Sequence, residues 1–122
     1  MTGFLAAAAG GAVGAAARYA ISLIPIKSGF PILTLITNVL GALLIGFIVG
    51  AAEKHEVPAW LMLFLKTGVC GGFTTFSTFS LEALGLMEKK EYAAGALYII
   101  LSVGLCILGV ICGKAIASKC RI

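Results

Sequence analysis

Charge is scarce in this sequence. Of its 122 residues only 11% are Asp, Glu, Lys or Arg and 61% are hydrophobic, whereas a soluble domain carries roughly 25% charged residues. The composition argues against a soluble domain. No carboxylate occurs before Glu53. The net charge is +4 and the nine basic residues are scattered, which gives neither a nucleic-acid footprint nor a polybasic lipid-binding run. Close cysteine pairs are missing as well. Cys70, Cys106, Cys112 and Cys120 include no C-x-x-C spacing; three fall inside apolar stretches and read as small packing residues. There is no nucleophile–base pair and no cluster of metal-ligating side chains, so nothing points to an enzyme. His55 lies in the Glu53–Glu56 loop and reads as solvated.

What remains is apolar and rich in glycine, with 16 Gly. Glycine is frequent in membrane helices because it lets backbones approach closely. A span needs roughly 20 apolar residues, so the length accommodates four with short connections. Residues 1–122 are thus expected to form one all-α integral membrane domain without a linker. The first stretch resembles a signal peptide, but no Lys or Arg precedes it, and it is read as a retained span.

Span one is expected over about Gly3–Ile24, with Gly10 and Gly14 as a small-residue pair beside a ridge of Ala7, Gly11 and Ala15. Pro25 and Pro31 bracket the loop that follows. Span two is expected over Ile32–Ala52, with a contact ridge of Ala42, Gly46 and Gly50 and a polar edge of Thr34, Asn38 and Gly41. Span three covers about Ala59–Met87, long for one crossing, with a break expected near Gly71. Span four covers Tyr92–Ala117, with Gly109 and Gly113 as a further close-packing pair.

Four spans place both termini on one side. Lys54, Lys66, Lys114, Lys119 and Arg121 then lie toward the termini, and Arg18, Lys27, Lys89 and Lys90 lie opposite. An excess of Lys and Arg normally fixes orientation. Five against four hardly fixes it, so insertion in both orientations is expected.

The chemistry concentrates in Gly71-Gly72-Phe73-Thr74-Thr75-Phe76-Ser77-Thr78-Phe79-Ser80. Hydroxyls and freed backbone at bilayer depth are tolerated where they are buried in protein or line a cavity. The three-residue repeat sets phenyl groups beside hydroxyl groups on adjoining helix faces. Ring edges are electropositive, and together with O–H donors they replace water around a small anion without holding it as tightly as Lys or Arg. Conduction needs that balance. Carbonyls freed at the break near Gly71 offer the oxygen ligands that a hard cation prefers.

Asn38, the only Asn, supplies two donors and an acceptor at mid-span; pore lining and an interhelical clamp are both open to it. Tyr98, Ser102 and Cys106 recur every four residues on span four; the stripe is open to continuing a polar track, and alone it reads as packing. Arg18 and Lys66 lie near span ends and are expected to snorkel to the interface. Glu82 is the one carboxylate well inside a span and is a functional candidate for that reason.

Three motifs carry a resemblance to a known family. They are Gly10-Gly11-x-x-Gly14-Ala15-x-x-Arg18-Tyr19, then Thr34-Leu35-x-x-Asn38-x-x-Gly41, then the run from Gly71 to Ser80. In this order, and over essentially the whole chain, the sequence resembles the Fluc (CrcB) fluoride channels. The resemblance implies a dual-topology antiparallel homodimer in the bacterial plasma (inner) membrane, with two fluoride pores that passively release cytoplasmic fluoride. It implies that Phe76 and Phe79 contact fluoride through ring edges, that Asn38 bonds near the pore, and that Ser77, Thr78, Tyr98 and Ser102 line it. Arg18 would sit at the pore mouth or support it, and Glu82 near a vestibule. The backbone carbonyls of Gly71 and Thr74 from both copies would hold a structural sodium ion (Na+) at the dimer centre.

Other readings fit less of the sequence. A small proton-coupled multidrug exporter needs a carboxylate in the first span, which is missing. A non-transporting packing subunit accounts for the glycine ridges but not for the hydroxyl and phenyl run. A heterodimer of paralogues is not required, since this chain keeps all three motifs.

Overall fold

The computed structural model describes residues 1–120; Arg121, one of the basic residues counted above, lies outside them. Three spans are continuous helices: α1 (Thr2–Ser22), α2 (Ile32–Ala52) and α6 (Tyr92–Lys119). The third span, Ala59–Glu88, is composite. It begins as α3 (Ala59–Met62), widens to π-helical bonding over Leu63–Cys70, tightens again in α4 (Gly71–Phe73), and resumes after an interruption as α5 (Phe76–Glu88). All four spans are long and apolar enough to cross a membrane. The boundaries of span two are those expected from the sequence, and the other three agree to within two residues.

The local signals account for these limits. Pro31 and Pro58 stand immediately before α2 and α3, where a missing N–H is harmless because first-turn donors have no helical partner. α5 ends in a Schellman turn. The Lys90 N–H donates to the Met87 carbonyl at 2.9 Å and the Glu91 N–H to the Leu86 carbonyl at 2.9 Å. This geometry puts Lys90 in the left-handed region, with φ 62°.

Two close helix pairs organise the bundle: α2 against α6, and α1 against the first half of span three. In lipid such pairs are held by van der Waals contact rather than by hydrophobic exclusion, so backbone proximity decides. A Cβ on Gly10 would collide with the Phe64 carbonyl, and one on Gly113 would collide with the Leu43 carbonyl. The glycine and alanine ridges read from the sequence are buried at Gly10, Gly14, Ala42, Gly46, Gly50, Gly109 and Gly113. α5 closes the bundle through a cluster of Leu35, Phe79, Ala83, Leu86 and Tyr98. At one end Lys114 pairs with Glu53 at 2.7 Å. Lys54 there donates to the Ala117 carbonyl at 3.3 Å, opposite the negative end of the α6 dipole.

Candidate functional site

The interruption in span three falls at Thr74–Thr75, three residues beyond the expected position. Gly71 is helical, with φ −64° and ψ −37°, whereas Thr74 (φ −82°, ψ 155°) and Thr75 (φ −147°, ψ 116°) are extended. A side chain from another helix makes the difference. The Thr75 N–H donates to Asn38 Oδ1 at 2.8 Å, and Asn38 Nδ2 donates to the Thr75 carbonyl at 3.1 Å. Uninterrupted helix would have given that N–H to the Gly71 carbonyl. On the near side Thr74 closes α4, its N–H and Oγ1 both donating to the Cys70 carbonyl at 3.0 and 2.8 Å. On the far side Thr75 Oγ1 accepts the Thr78 N–H at 3.1 Å and caps α5. Arg18 Nε donates to the Gly72 carbonyl at 3.1 Å, just before the break. Glycine at Gly72 is required by closeness, since a Cβ there would lie 2.5 Å from the Gly11 carbonyl oxygen.

Two cavities flank the break. The larger is an open groove of about 470 Å³ with mostly apolar walls, lined among others by Asn38, Gly71, Thr74, Phe76, Phe79 and Ser102. The smaller, about 80 Å³, is lined by Leu33 and by the polar residues Arg18, Ser22, Thr34, Thr37, Thr75 and Thr78. Thr75 lines both, so the break is the partition between them.

The two phenyl groups of the repeat are placed differently. Phe79 is buried at 8% exposure, whereas Phe76 is 79% exposed; their ring centroids lie 5.5 Å apart. Tyr98 is fully buried, with its ring 5.1 Å from Phe79 and 5.5 Å, edge-on, from Phe30. Among the described residues, the Tyr98 hydroxyl and Ser102 Oγ are buried without a hydrogen-bond partner, although buried polar groups nearly always have one. Ser77 is exposed, with Oγ 3.4 Å from Thr75 Oγ1. Glu82 accepts the Thr34 hydroxyl proton at 2.6 Å.

Asn38, Phe76, Phe79, Ser102 and the Gly71–Thr74 segment therefore meet at one groove. Thr78 and Arg18 face the second cavity, and Tyr98 and Glu82 are tied to the site through Phe79 and Thr34. Two contributors escaped the sequence reading. Thr75 carries both Asn38 bonds and the cap; a Thr before the Phe76–Glu88 stretch is a capping signal that was there to be read. Lys66 lines the groove, a placement that only the tertiary packing reveals. Cys106, the third member of the Tyr98–Ser102 row, lines it one turn beyond Ser102.

In chemical terms the groove offers O–H donors and ring edges to a small anion. It also offers the Gly71 carbonyl, released by the Asn38 bond, and the extended Thr74 to a hard cation. Four apolar spans, the third of them broken, with polar groups gathered at the break, define a multi-pass integral membrane protein. Residues 5–114 match the family described as CrcB-like protein, Camphor Resistance (CrcB), and the chain belongs to that family. It is 46% identical over 121 residues to the fluoride-specific ion channel FluC of Ruminiclostridium cellulolyticum, covering 96% of this chain and 93% of the relative. It is 43% identical over 122 residues to the protein of the same name from Roseobacter denitrificans, covering 96% of each. The FluC of Shewanella halifaxensis is 40% identical over 117 residues, with 93% and 94% covered.

Proposed function

We propose that the chain is a fluoride-selective channel that lets cytoplasmic fluoride leave passively across the bacterial plasma membrane. The observation that carries this reading is a pair of buried hydroxyls without a partner among the described residues, that of Tyr98, whose ring packs on Phe79, and that of Ser102 on the groove that Phe79 also lines. Two donors and an electropositive ring edge suit a small, strongly hydrated anion that must shed water yet leave again. Asn38 holds the break in register, and Phe76 presents its ring from the rim of the same groove. The lack of any carboxylate before Glu53 supports passive permeation over proton coupling. Hydrofluoric acid is weak, so it crosses membranes uncharged and dissociates inside. The trapped anion then leaves down its gradient, helped by an inside-negative potential.

Two copies pair antiparallel and form two pores. The nearly balanced basic residues favour insertion in both orientations, and the exposed Phe76 and open Gly71 face supply a surface for the second copy. The carbonyls of Gly71 and Thr74 from both copies would hold a sodium ion between them. When bound, that ion neutralises carbonyl dipoles left without helical partners and adds positive potential beside the anion path.

The test is fluoride-electrode efflux from liposomes containing the purified protein, with chloride efflux as control. Fast fluoride efflux without an imposed proton gradient, and none for chloride, is the expected result. Strict dependence on a proton gradient would move the protein to coupled exporters.

A further inference from the structure

The Tyr98 hydroxyl has no hydrogen-bond partner among the described residues, so no polar contact there fixes the direction of its ring. Packing does. Two phenyl rings bear on it: Phe79 of α5, with centroids 5.1 Å apart, and Phe30, at 5.5 Å and an interplanar angle of 80°. Phe76 follows Phe79 at 5.5 Å. A continuous row of rings thus runs from the loop between α1 and α2 to the rim of the groove.

Phe30 has no part in the site described above. Among the described residues, it alone of the half-buried apolar side chains packed on the Leu35–Tyr98 cluster comes from a loop. Loop side chains are ordinarily mobile, yet this backbone is held on both sides. The Phe30 N–H donates to Ser28 Oγ at 3.1 Å. Its carbonyl accepts the Ile32 N–H at 2.8 Å across Pro31, at φ −77° and ψ 66°. That is an inverse γ-turn, and the proline ring locks its φ. The phenyl group is therefore carried on a fixed backbone, and every one of these contacts lies within a single chain.

We infer that Phe30 is a positioning residue, which holds the Tyr98 ring so that its hydroxyl stays free to donate to a passing anion. Ring quadrupoles favour an edge-on pair over other arrangements. An aliphatic side chain of similar bulk fills the space without that preference. A loosened Tyr98 turns its hydroxyl toward whatever acceptor is in reach, and the donor is lost to the anion. The effect on flux rests on Tyr98 being a donor on the anion path; the hold on its ring does not.

The test compares Phe30→Leu, Phe30→Tyr and Ile32→Ala with the unaltered chain in proteoliposomes. Phe30→Leu removes the ring and Phe30→Tyr keeps it. Ile32→Ala takes a side chain from the same cluster without removing a ring. Tetranitromethane, an apolar reagent that enters bilayers, is applied to each, and peptide-resolved mass spectrometry separates Tyr98 from Tyr19 and Tyr92. Fluoride efflux is read on untreated samples. In Phe30→Leu, nitration of Tyr98 should quicken and efflux should fall, each by about three- to tenfold, the scale of one lost aromatic pair. Phe30→Tyr and Ile32→Ala should match the unaltered chain in both, although Ile32→Ala melts earlier. Unchanged nitration in Phe30→Leu overturns the inference, as does faster nitration with unchanged efflux. Equal changes in Phe30→Tyr or Ile32→Ala overturn it too, since general loosening then accounts for the loss. If the unaltered protein carries no fluoride, the channel reading falls, and nitration alone upholds or overturns the hold on Tyr98. If Phe30→Leu does not fold, Phe30→Met is read in its place.

Discussion

Asn38 and Thr75 exchange two hydrogen bonds across 37 residues of sequence. The side-chain amide takes the place of a neighbouring strand, accepting the Thr75 N–H and donating to its carbonyl. Asn38→Ala leaves both backbone groups unpartnered inside the bundle, a loss of about 1–3 kcal/mol for each. Asn38→Asp keeps the size but sets a second acceptor against the Thr75 carbonyl. Both variants should melt earlier in detergent and lose most fluoride efflux. A wild-type melting temperature for Asn38→Ala would mean that something else holds the break open.

Phe76 and Phe79 look equivalent in sequence and differ in the fold. Phe79, 8% exposed against Tyr98, belongs to the core, so Phe79→Ala should cost about 3–5 kcal/mol of stability. Phe76, 79% exposed, has little packing to lose within one chain. Phe76→Ile keeps an apolar side chain and removes the electropositive ring edge. Its fluoride efflux should fall sharply while its melting temperature holds. Equal efflux for Phe76→Ile and the parent chain would leave the ring edge with no part in permeation.

The spans were legible because each is bounded by local signals. Pro31 and the Glu53–Pro58 loop set the limits of α2, and the glycine ridges foretold which faces meet. The break was displaced because the sequence offered the Gly71–Gly72 pair as the natural breaker. A mid-helix glycine weakens a helix by only about 1 kcal/mol, and Gly72 is needed for its closeness to Gly11 instead. What breaks the helix is an amide arriving from α2, and no window of local sequence contains it. The same applies to the Thr34–Glu82 bond, which joins residues 48 apart, and to Lys66, whose position on the groove wall depends on the π-helical turn that carries it.

Lys90 carries a left-handed backbone conformation, φ 62°, that a side chain disfavours. An L-residue there is strained by about 1–2 kcal/mol relative to glycine. Lys90→Gly should therefore raise the melting temperature of the purified protein. Lys90 lines neither cavity, so fluoride efflux per channel should not change. A lower melting temperature would show that the Lys90 side chain makes a contribution larger than the strain.

Gly41 is buried directly beneath the break. A Cβ at Gly41 would collide with the Thr74 methyl and lie 3.3 Å from Phe73 Cδ2. Thr74 has no room to yield by rotation, because its Oγ1 is held by the Cys70 carbonyl at 2.8 Å. Gly41→Ala must therefore push the Thr74 backbone at the point where the helix opens, and should reduce both stability and fluoride efflux. Thr74→Ser keeps the hydroxyl and its bond but removes the methyl, a loss of about 1 kcal/mol of burial. The two substitutions together should do better than their separate effects added, with a coupling of about 1 kcal/mol or more between residues in contact. Efflux in the double variant should recover toward that of Thr74→Ser alone. A four-member cycle of melting temperatures and efflux rates measures both. Strict additivity would mean that the methyl is not what Gly41 makes room for, and an unaffected Gly41→Ala would mean that the break tolerates displacement.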